Sequence, residues 1–386
     1  MKEDHMENRF DEFQIGDSLF RYSAFVPRFY NLCKSYGFKS GQIMPSRAFC
    51  SDENQGFPII LIAKHFGTFP FNHGMVGGIV ATDRHGPHAH HGQDLVIIQA
   101  SHVGYDPDSQ TFGSYKRLQT QTLEHTACCG KIGAVMDWYT KEYAYARQNI
   151  RYTLADGRAA ILIDNLYLEP DRGQGLFLRL NKLIAPGPSG GADNRLSRPI
   201  GQLSTATLFP MHTELEEKLP PAHRDRSLSI DRDLTPDLFY FKRDISDTLE
   251  GRDQLEKNLA RQMPRIVTSP HPFLSAAIAN TRIEFERSFR TLLQAPGYRG
   301  RNLVFISGIN IDISPREGQL FPLTKFIPWA AYVQTGKNRS FIMEQTELTD
   351  ALKNMSPKNP DKIELSKAIQ EMENRPEMQV VLKDVP

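Results

Sequence analysis

No apolar run in the 386-residue chain approaches the ~18 residues that a membrane span needs. The longest are short, such as Ile59-Ile60-Leu61-Ile62-Ala63, so no membrane partner is expected. Charge of one sign is also missing. The 46 basic and 45 acidic residues leave a formal charge of +1, too little for a broad basic field that would draw nucleic acid or an anionic bilayer. Cysteine is scarce, at four residues, which excludes a disulfide scaffold. The first residues, Met1-Lys2-Glu3-Asp4-His5, are polar, with no apolar leader and no Arg/Ser-rich transit character. The expected setting is therefore cytoplasmic and reducing, with thiols free for metal or chemistry. No internal repeat of roughly 20–50 residues is visible.

What is present suits a folded enzyme-sized unit. Hydrophobic residues make up 40% and aromatics 10%, enough for a sizeable core. Leu95-Val96-Ile97-Ile98, Ala159-Ala160-Ile161-Leu162-Ile163 and Leu303-Val304-Phe305-Ile306 are continuous apolar runs. Such runs mark strands buried on both faces, as in a parallel sheet covered by helices. Residues 127–147 read as a helix with Thr126 as N-cap. Residues 247–263 have helical charge spacing. Residues 272–294 place Leu274, Ala277, Ile278, Phe285, Phe289 and Leu292 on one helical face. Between 168 and 238 the composition shifts to Pro, Gly, Asp and Arg and reads as a loop-rich surface insertion. The expected architecture is α/β, with a mainly parallel sheet flanked by helices. Residues 1–20 form a polar lead-in, 21–345 a single domain, and 346–386 a charged tail.

Three thiols sit in suggestive places. Cys50 lies in Phe49-Cys50-Ser51-Asp52-Glu53, and Cys128 and Cys129 precede Gly130 at the start of the expected helix. The positive end of a helix favours thiolate, the form that binds metal. Taken singly, free cysteines are most often small buried hydrophobes. His102 follows the Leu95–Ile98 run, at the carboxyl end of its strand, where ligands collect in open α/β sheets. Cys50, His102 and Cys129 together make a soft Cys₂His set suited to tetrahedral zinc with one position open. They are far apart in sequence, unlike a zinc finger. Asp52 would lie beside the open position, where it could orient a zinc-bound hydroxide or close the site as a fourth ligand. Arg117 could hold Asp52 ionised through a two-pronged contact and offset the charge of an anionic centre. His85, His88, His90 and His91 form a second, weaker metal candidate in a Gly/Pro-rich loop.

These pieces occur in an order that resembles a known family. Phe49-Cys50-Ser51-Asp52-Glu53, His65-Phe66-Gly67, Gly92–Ile98, Ser101-His102-Val103-Gly104, Gly113–Arg117 and Ala127-Cys128-Cys129-Gly130 are similar to the limiting-CO2-inducible B family of β-class-like carbonic anhydrases. Ile306–Ile311 and Phe321-Pro322-Leu323 resemble its closing strands. The resemblance covers roughly 45–135 and 300–335. It implies a zinc site of Cys50, His102 and Cys129, an Asp52–Arg117 dyad, a β-carbonic-anhydrase-like fold and a homodimer. Cys129 rather than Cys128 is implied because it directly precedes Gly130. The chain departs from the Cys-x-Asp-x-Arg of ordinary β-class enzymes, with Asn54 in the last position, so the arginine comes from elsewhere and Arg47 rivals Arg117.

The expected activity is reversible hydration of CO2 to bicarbonate by a zinc-bound hydroxide. Phe66 or Phe69 could line a CO2 slot, and His65 or His125 could relay the proton. Two other readings compete. The same zinc could stabilise a catalytically silent subunit that binds a partner or senses inorganic carbon. Alternatively, a cysteine nucleophile could act with His102 as base. A zinc nucleoside deaminase also uses His/Cys/Cys ligands, but its Pro-Cys-x-x-Cys signature is absent.

Overall fold

The computed structural model describes residues 15–81, 94–116, 125–166, 173–185, 207–218, 228–245, 252–316, 318–319, 322–336 and 339–375. In chain order the strands used below are β1 (Phe20–Arg21), β2 (Ile43–Ala48), β3 (Phe71–Asn72), β4 (Asp94–Asp106), β5 (Ile150–Ala155), β6 (Arg158–Ile163), β7 (Gly175–Leu178), β8 (Phe239–Lys242), β9 (Leu303–Ile313), β10 (Leu323–Thr335) and β11 (Arg339–Met343). The helices are α1 (Tyr22–Ser35), α2 (Gly56–Phe66), α3 (Gly130–Asn149), α4 (Arg252–Ala260), α5 (Pro272–Gln294), α6 (Gln345–Asn354) and α7 (Leu365–Glu373).

The central sheet runs β1-β10-β9-β4-β2-β3, with β11 added on β10 and Thr111–Phe112 on the end of β4. Its core is parallel: β9 with β4, β4 with β2, and β2 with β3. The flank carrying β10, β1 and β11 is antiparallel. The unbroken apolar runs of β4 and β9 have the expected cause, because both faces are covered. Val96, Ile98, Val304 and Ile306 pack under Phe25 and Phe29 of α1, Ile62 and Phe66 of α2, and Leu348 and Leu352 of α6. Ile97 and Phe305 face Phe285 of α5 on the other side. Each such side chain contributes roughly 1.5–3 kcal/mol by leaving water. The architecture is thus α/β, with a largely parallel central sheet between helical layers. Among the described residues no helix is long and apolar enough to cross a membrane.

Three local readings differ from the structure. The helix near 127 begins at Gly130 with Cys129 as its N-cap residue, while Thr126 lies in the short strand His125–Ala127, paired with Ser114–Lys116. The Ala159–Ile163 run is not a parallel strand. It lies in β6, paired antiparallel with β5 in a separate four-stranded sheet. The turn between them is Asp156-Gly157, both at positive φ, the geometry a two-residue hairpin needs. Finally, the Pro/Gly-rich stretch contains ordered structure: β7 is wholly buried and pairs with β8. Helix α5 spans the expected residues, but its buried surface also carries Asn280, Thr281, Glu284 and Ser288.

Candidate metal centre

Three segments meet at the carboxyl end of the parallel core. Cys50 follows β2 by two residues, His102 lies within β4, and Cys129 stands at the head of α3. Side chains alternate along β4, so His102 shares a face with Val96, Ile98 and Ala100. It is fully buried there. The Cys128-Cys129 segment reaches it because Gly104 has no side chain. A Cβ at 104 would lie 2.8 Å from the Cys128 Cβ and 2.9 Å from the Ser114 carbonyl oxygen. The Gly104 amide instead donates to the Cys128 carbonyl at 2.9 Å.

The ligating atoms of Cys50, His102 and Cys129 all lie within 4.8 Å of one another, and all three residues are buried. The two sulfurs are 3.9 Å apart. His102 Nδ1 donates to Asp312 Oδ2 at 2.9 Å, and both side chains are wholly buried. Its Nε2 makes no hydrogen bond among the described residues. A buried ring nitrogen without a partner is costly. With the Cys50 and Cys129 sulfurs the ring forms a donor set that a soft divalent ion fits. The chain therefore contains a Cys/His/Cys group able to hold a metal ion, its imidazole fixed from behind by a carboxylate.

Asp312 is held in turn. Gln55 Nε2 donates to its Oδ2 at 2.8 Å, and Thr324 Oγ1 to its Oδ1 at 3.0 Å. Asn310 Nδ2 donates to Gln55 Oε1 at 2.6 Å, and the Tyr22 hydroxyl to Asn310 Oδ1 at 2.7 Å. Asn310 and Asp312 sit opposite His102 and Gly104 in the β9–β4 register.

Cys50 and Cys129 set each other's charge. The Cys129 thiol donating to the Cys50 sulfur is the main cause that brings Cys50 down to about 3, against burial. Cys129 moves up for the same reason, with burial adding to it. The pair therefore favours one thiolate and one thiol. Burial disfavours charge on His102, but the negative charge of the Cys50–Cys129 pair, with Asp312 and Cys128, outweighs it and raises the imidazole well above its usual range. Surroundings that favour a proton on Nε2 also favour a metal cation there.

Asp52, His102 and Cys128 form a second group with ligating atoms within 4.8 Å. Asp52 caps the short turn Glu53–Gln55 by accepting from the Asn54 amide at 3.1 Å. Burial raises its carboxyl, with the His102 charge acting against the shift. The Cys128 sulfur lies 3.6 Å from His102 Nδ1 and 3.9 Å from Asp312 Oδ2, while Cys129 is the cysteine grouped with Cys50.

Other residues singled out by sequence fall elsewhere. Arg117 lies outside the described residues, immediately after Lys116, as do His85, His88, His90 and His91. Arg47 is half-buried, with no acidic partner among the described residues; burial lowers its pKa. His65 is buried away from the centre, its Nδ1 3.3 Å from Asn359 Nδ2. His125 is exposed beside Ser114. Phe66 belongs to the α1/α2 layer, and Phe69 is 69% exposed. Asp312 and Tyr115 were not singled out. Tyr115 is buried, and burial raises its phenol, with the charges of Asp312, Cys128 and Asp52 raising it further. Tyr115 stands two residues before Arg117.

Sheet and site together define an α/β protein of β-carbonic-anhydrase-like, LCIB-like fold. Among solved structures it is similar to PtLCIB4, a homolog of the limiting CO2-inducible protein LCIB, over 85% of this chain and 95% of that one, with TM-score 0.50 and 11% identity. LCIB itself aligns over 89% of this chain and 100% of its own, with TM-score 0.44 and 12% identity. No protein-family model and no curated protein sequence matches the chain.

Proposed function

We propose that the chain is a zinc-dependent carbonic anhydrase interconverting CO2 and bicarbonate in a reducing, cytoplasmic setting. Cys50, His102 and Cys129 would hold the zinc, and Asp52 and Arg117 would act beside it. The observation that carries the reading is the His102 ring, with Nδ1 committed to Asp312 at 2.9 Å, Nε2 without a hydrogen bond among the described residues, and a ring nitrogen within 4.8 Å of the Cys50 and Cys129 sulfurs. When bound, zinc supplies Lewis acidity that makes water ionise near neutral pH. The chain supplies the rest. Asp312 fixes the His102 tautomer and raises its basicity as a ligand. Asp52 accepts a hydrogen bond from the reacting hydroxyl and so aims its lone pair. Arg117 keeps Asp52 ionised against the burial that raises it. Proton exit runs to solvent. A homodimer is part of the proposal.

The test is zinc content and CO2 hydration by stopped-flow on one sample. About one zinc per chain with turnover is expected, and Cys50→Ala or His102→Ala removes both. Full activity after metal removal rejects the mechanism. One observation favours a second reading: an Asp52 carboxylate oxygen lies within 4.8 Å of a His102 ring nitrogen, in one group with Cys128. Closed by Asp52, the zinc would stabilise a silent subunit that binds a partner or senses inorganic carbon. Stoichiometric zinc without turnover across a broad pH range would select it.

A further inference from the structure

Behind Cys50 lies a hydrogen-bond relay that the metal reading leaves unused. The Gly77 amide donates to the Cys50 sulfur at 3.2 Å. Gly77 belongs to the loop after β3, which has no covalent reason to hold that aim. It is gripped from α5 instead. Asn280 Nδ2 donates to the Gly77 carbonyl at 3.0 Å and to Ser101 Oγ at 2.9 Å. Ser101 is the neighbour of His102. Asn280 Oδ1 accepts from Asn258 Nδ2 at 2.8 Å, and Asn258 also donates to Glu284 Oε1 at 2.7 Å. Glu284 Oε2 accepts from the Val80 amide at 2.7 Å, three residues beyond Gly77. Gln99 Nε2 of β4 donates to the adjoining Gly78 carbonyl at 3.1 Å. Asn280 and Glu284 are fully buried.

Four buried amide and carboxyl side chains on one apolar helix-and-strand layer are expensive unless each is satisfied. Here they converge on one loop, and that loop donates a hydrogen bond to the Cys₂His group through Gly77. We infer that Asn280 is a positioning residue for the metal centre: it holds Gly77 so that its N–H draws electron density from the Cys50 thiolate. A thiolate that accepts a hydrogen bond gives less charge to its metal. The ion then stays a stronger Lewis acid, which a centre with two thiolates otherwise lacks. The inference rests on the metal reading but not on CO2 turnover.

The test replaces zinc with Co²⁺ in the full chain and reads the sulfur-to-cobalt charge-transfer band. Asn280→Asp keeps size and the acceptor toward Asn258 but loses the donor to Gly77. The band is expected to move to longer wavelength, because an electron leaves a richer sulfur more readily. In the zinc form the pH midpoint of any hydration activity should move up. Thr281→Val is the control. It lies on the same helix and removes a buried bond to the Gly308 carbonyl, 3.1 Å away and not part of the loop. Its band should stay with the parent's. Should Asn280→Asp not fold, Gln99→Glu removes the donor to the Gly78 carbonyl and is read in the same way. A parent chain with no sulfur-to-cobalt band overturns the metal reading and this inference together. A parent band unmoved in Asn280→Asp and Gln99→Glu, or moved equally in Thr281→Val, overturns the inference alone.

Discussion

Asp312 is the residue on which the centre turns, and its carboxylate serves three donors at once. Asp312→Ala would leave His102, Gln55 and Thr324 without an acceptor inside the fold. Breaking a buried pair in this way costs about 3–5 kcal/mol. The expected outcome is a large fall in the urea midpoint. Asp312→Asn keeps the shape and is expected to fold, with zinc affinity lower by about 10–100-fold in competition with a chelator. Unchanged affinity in the Asn variant would mean that His102 needs no carboxylate behind it.

His73 gives a residue-scale prediction on pH. It is buried, neither ring nitrogen has a hydrogen bond among the described residues, and burial lowers its pKa to about 4. The unfolded chain binds this proton near pH 6.5 and the folded chain only near 4. Its contribution is therefore intact above 6.5 and is lost as pH falls toward 4, on the order of 3 kcal/mol at one pKa unit per ~1.4 kcal/mol. His73→Leu, among Val80, Ile97 and Phe305, should fold with a flatter loss of stability between pH 6.5 and 4. An unaltered acid limb in denaturant titrations would contradict this.

At the scale of elements, Gly104 lets the turn before α3 lie against β4. Gly104→Ala puts a methyl where the Cys128 Cβ and Ser114 carbonyl already stand. It should push Cys128-Cys129 away from His102 and weaken zinc binding by at least about tenfold, read as metal retained through dialysis. This scale also shows what the sequence made legible. The parallel strands could be read, since Leu95–Ile98 and Leu303–Ile306 are apolar without interruption and have helices on both sides. Asp312 could not. Ile309-Asn310-Ile311-Asp312-Ile313 alternates, and alternation reads as a half-exposed strand. Here the polar face is buried, because Asn310 and Asp312 meet Gln55, Tyr22 and His102 from distant segments. The antiparallel hairpin was signalled by Asp156-Gly157, which a search for buried runs passes over. The thiols and His102 stood out by residue type. Asn280 did not, because helical periodicity marks apolar positions and says nothing about a buried amide.

For the whole molecule, the stretch after α6 is a strap rather than a loose appendage. Asn31 Nδ2 donates to the Ser356 and Lys358 carbonyls at 2.8 and 2.9 Å. Asp361 accepts from Tyr30 at 2.9 Å and pairs with Lys34 at 2.7 Å, and Asn359 Nδ2 donates to the His65 carbonyl at 3.0 Å. Ending the chain after residue 354 removes these bonds to α1 and α2. At about 1 kcal/mol for each buried or half-buried one, the melting temperature should fall by several degrees. Zinc content should stay near that of the full chain, because no hydrogen bond among the described residues joins the strap to the Cys₂His group. Loss of zinc in a folded truncation would show that the two regions are coupled.

The pairing of β4 with β9 also sets an order of events in the cell. The three segments that bear Cys50, His102 and Cys129 leave the ribosome long before Asp312 is translated. Until then the imidazole has no anchor to choose its tautomer, and any ion captured by the nascent thiols sits in an unfinished cage. A cage of the final geometry must wait until Asp312 has emerged, in the last third of the 386 residues, so an ion met earlier would find an imidazole that nothing yet holds.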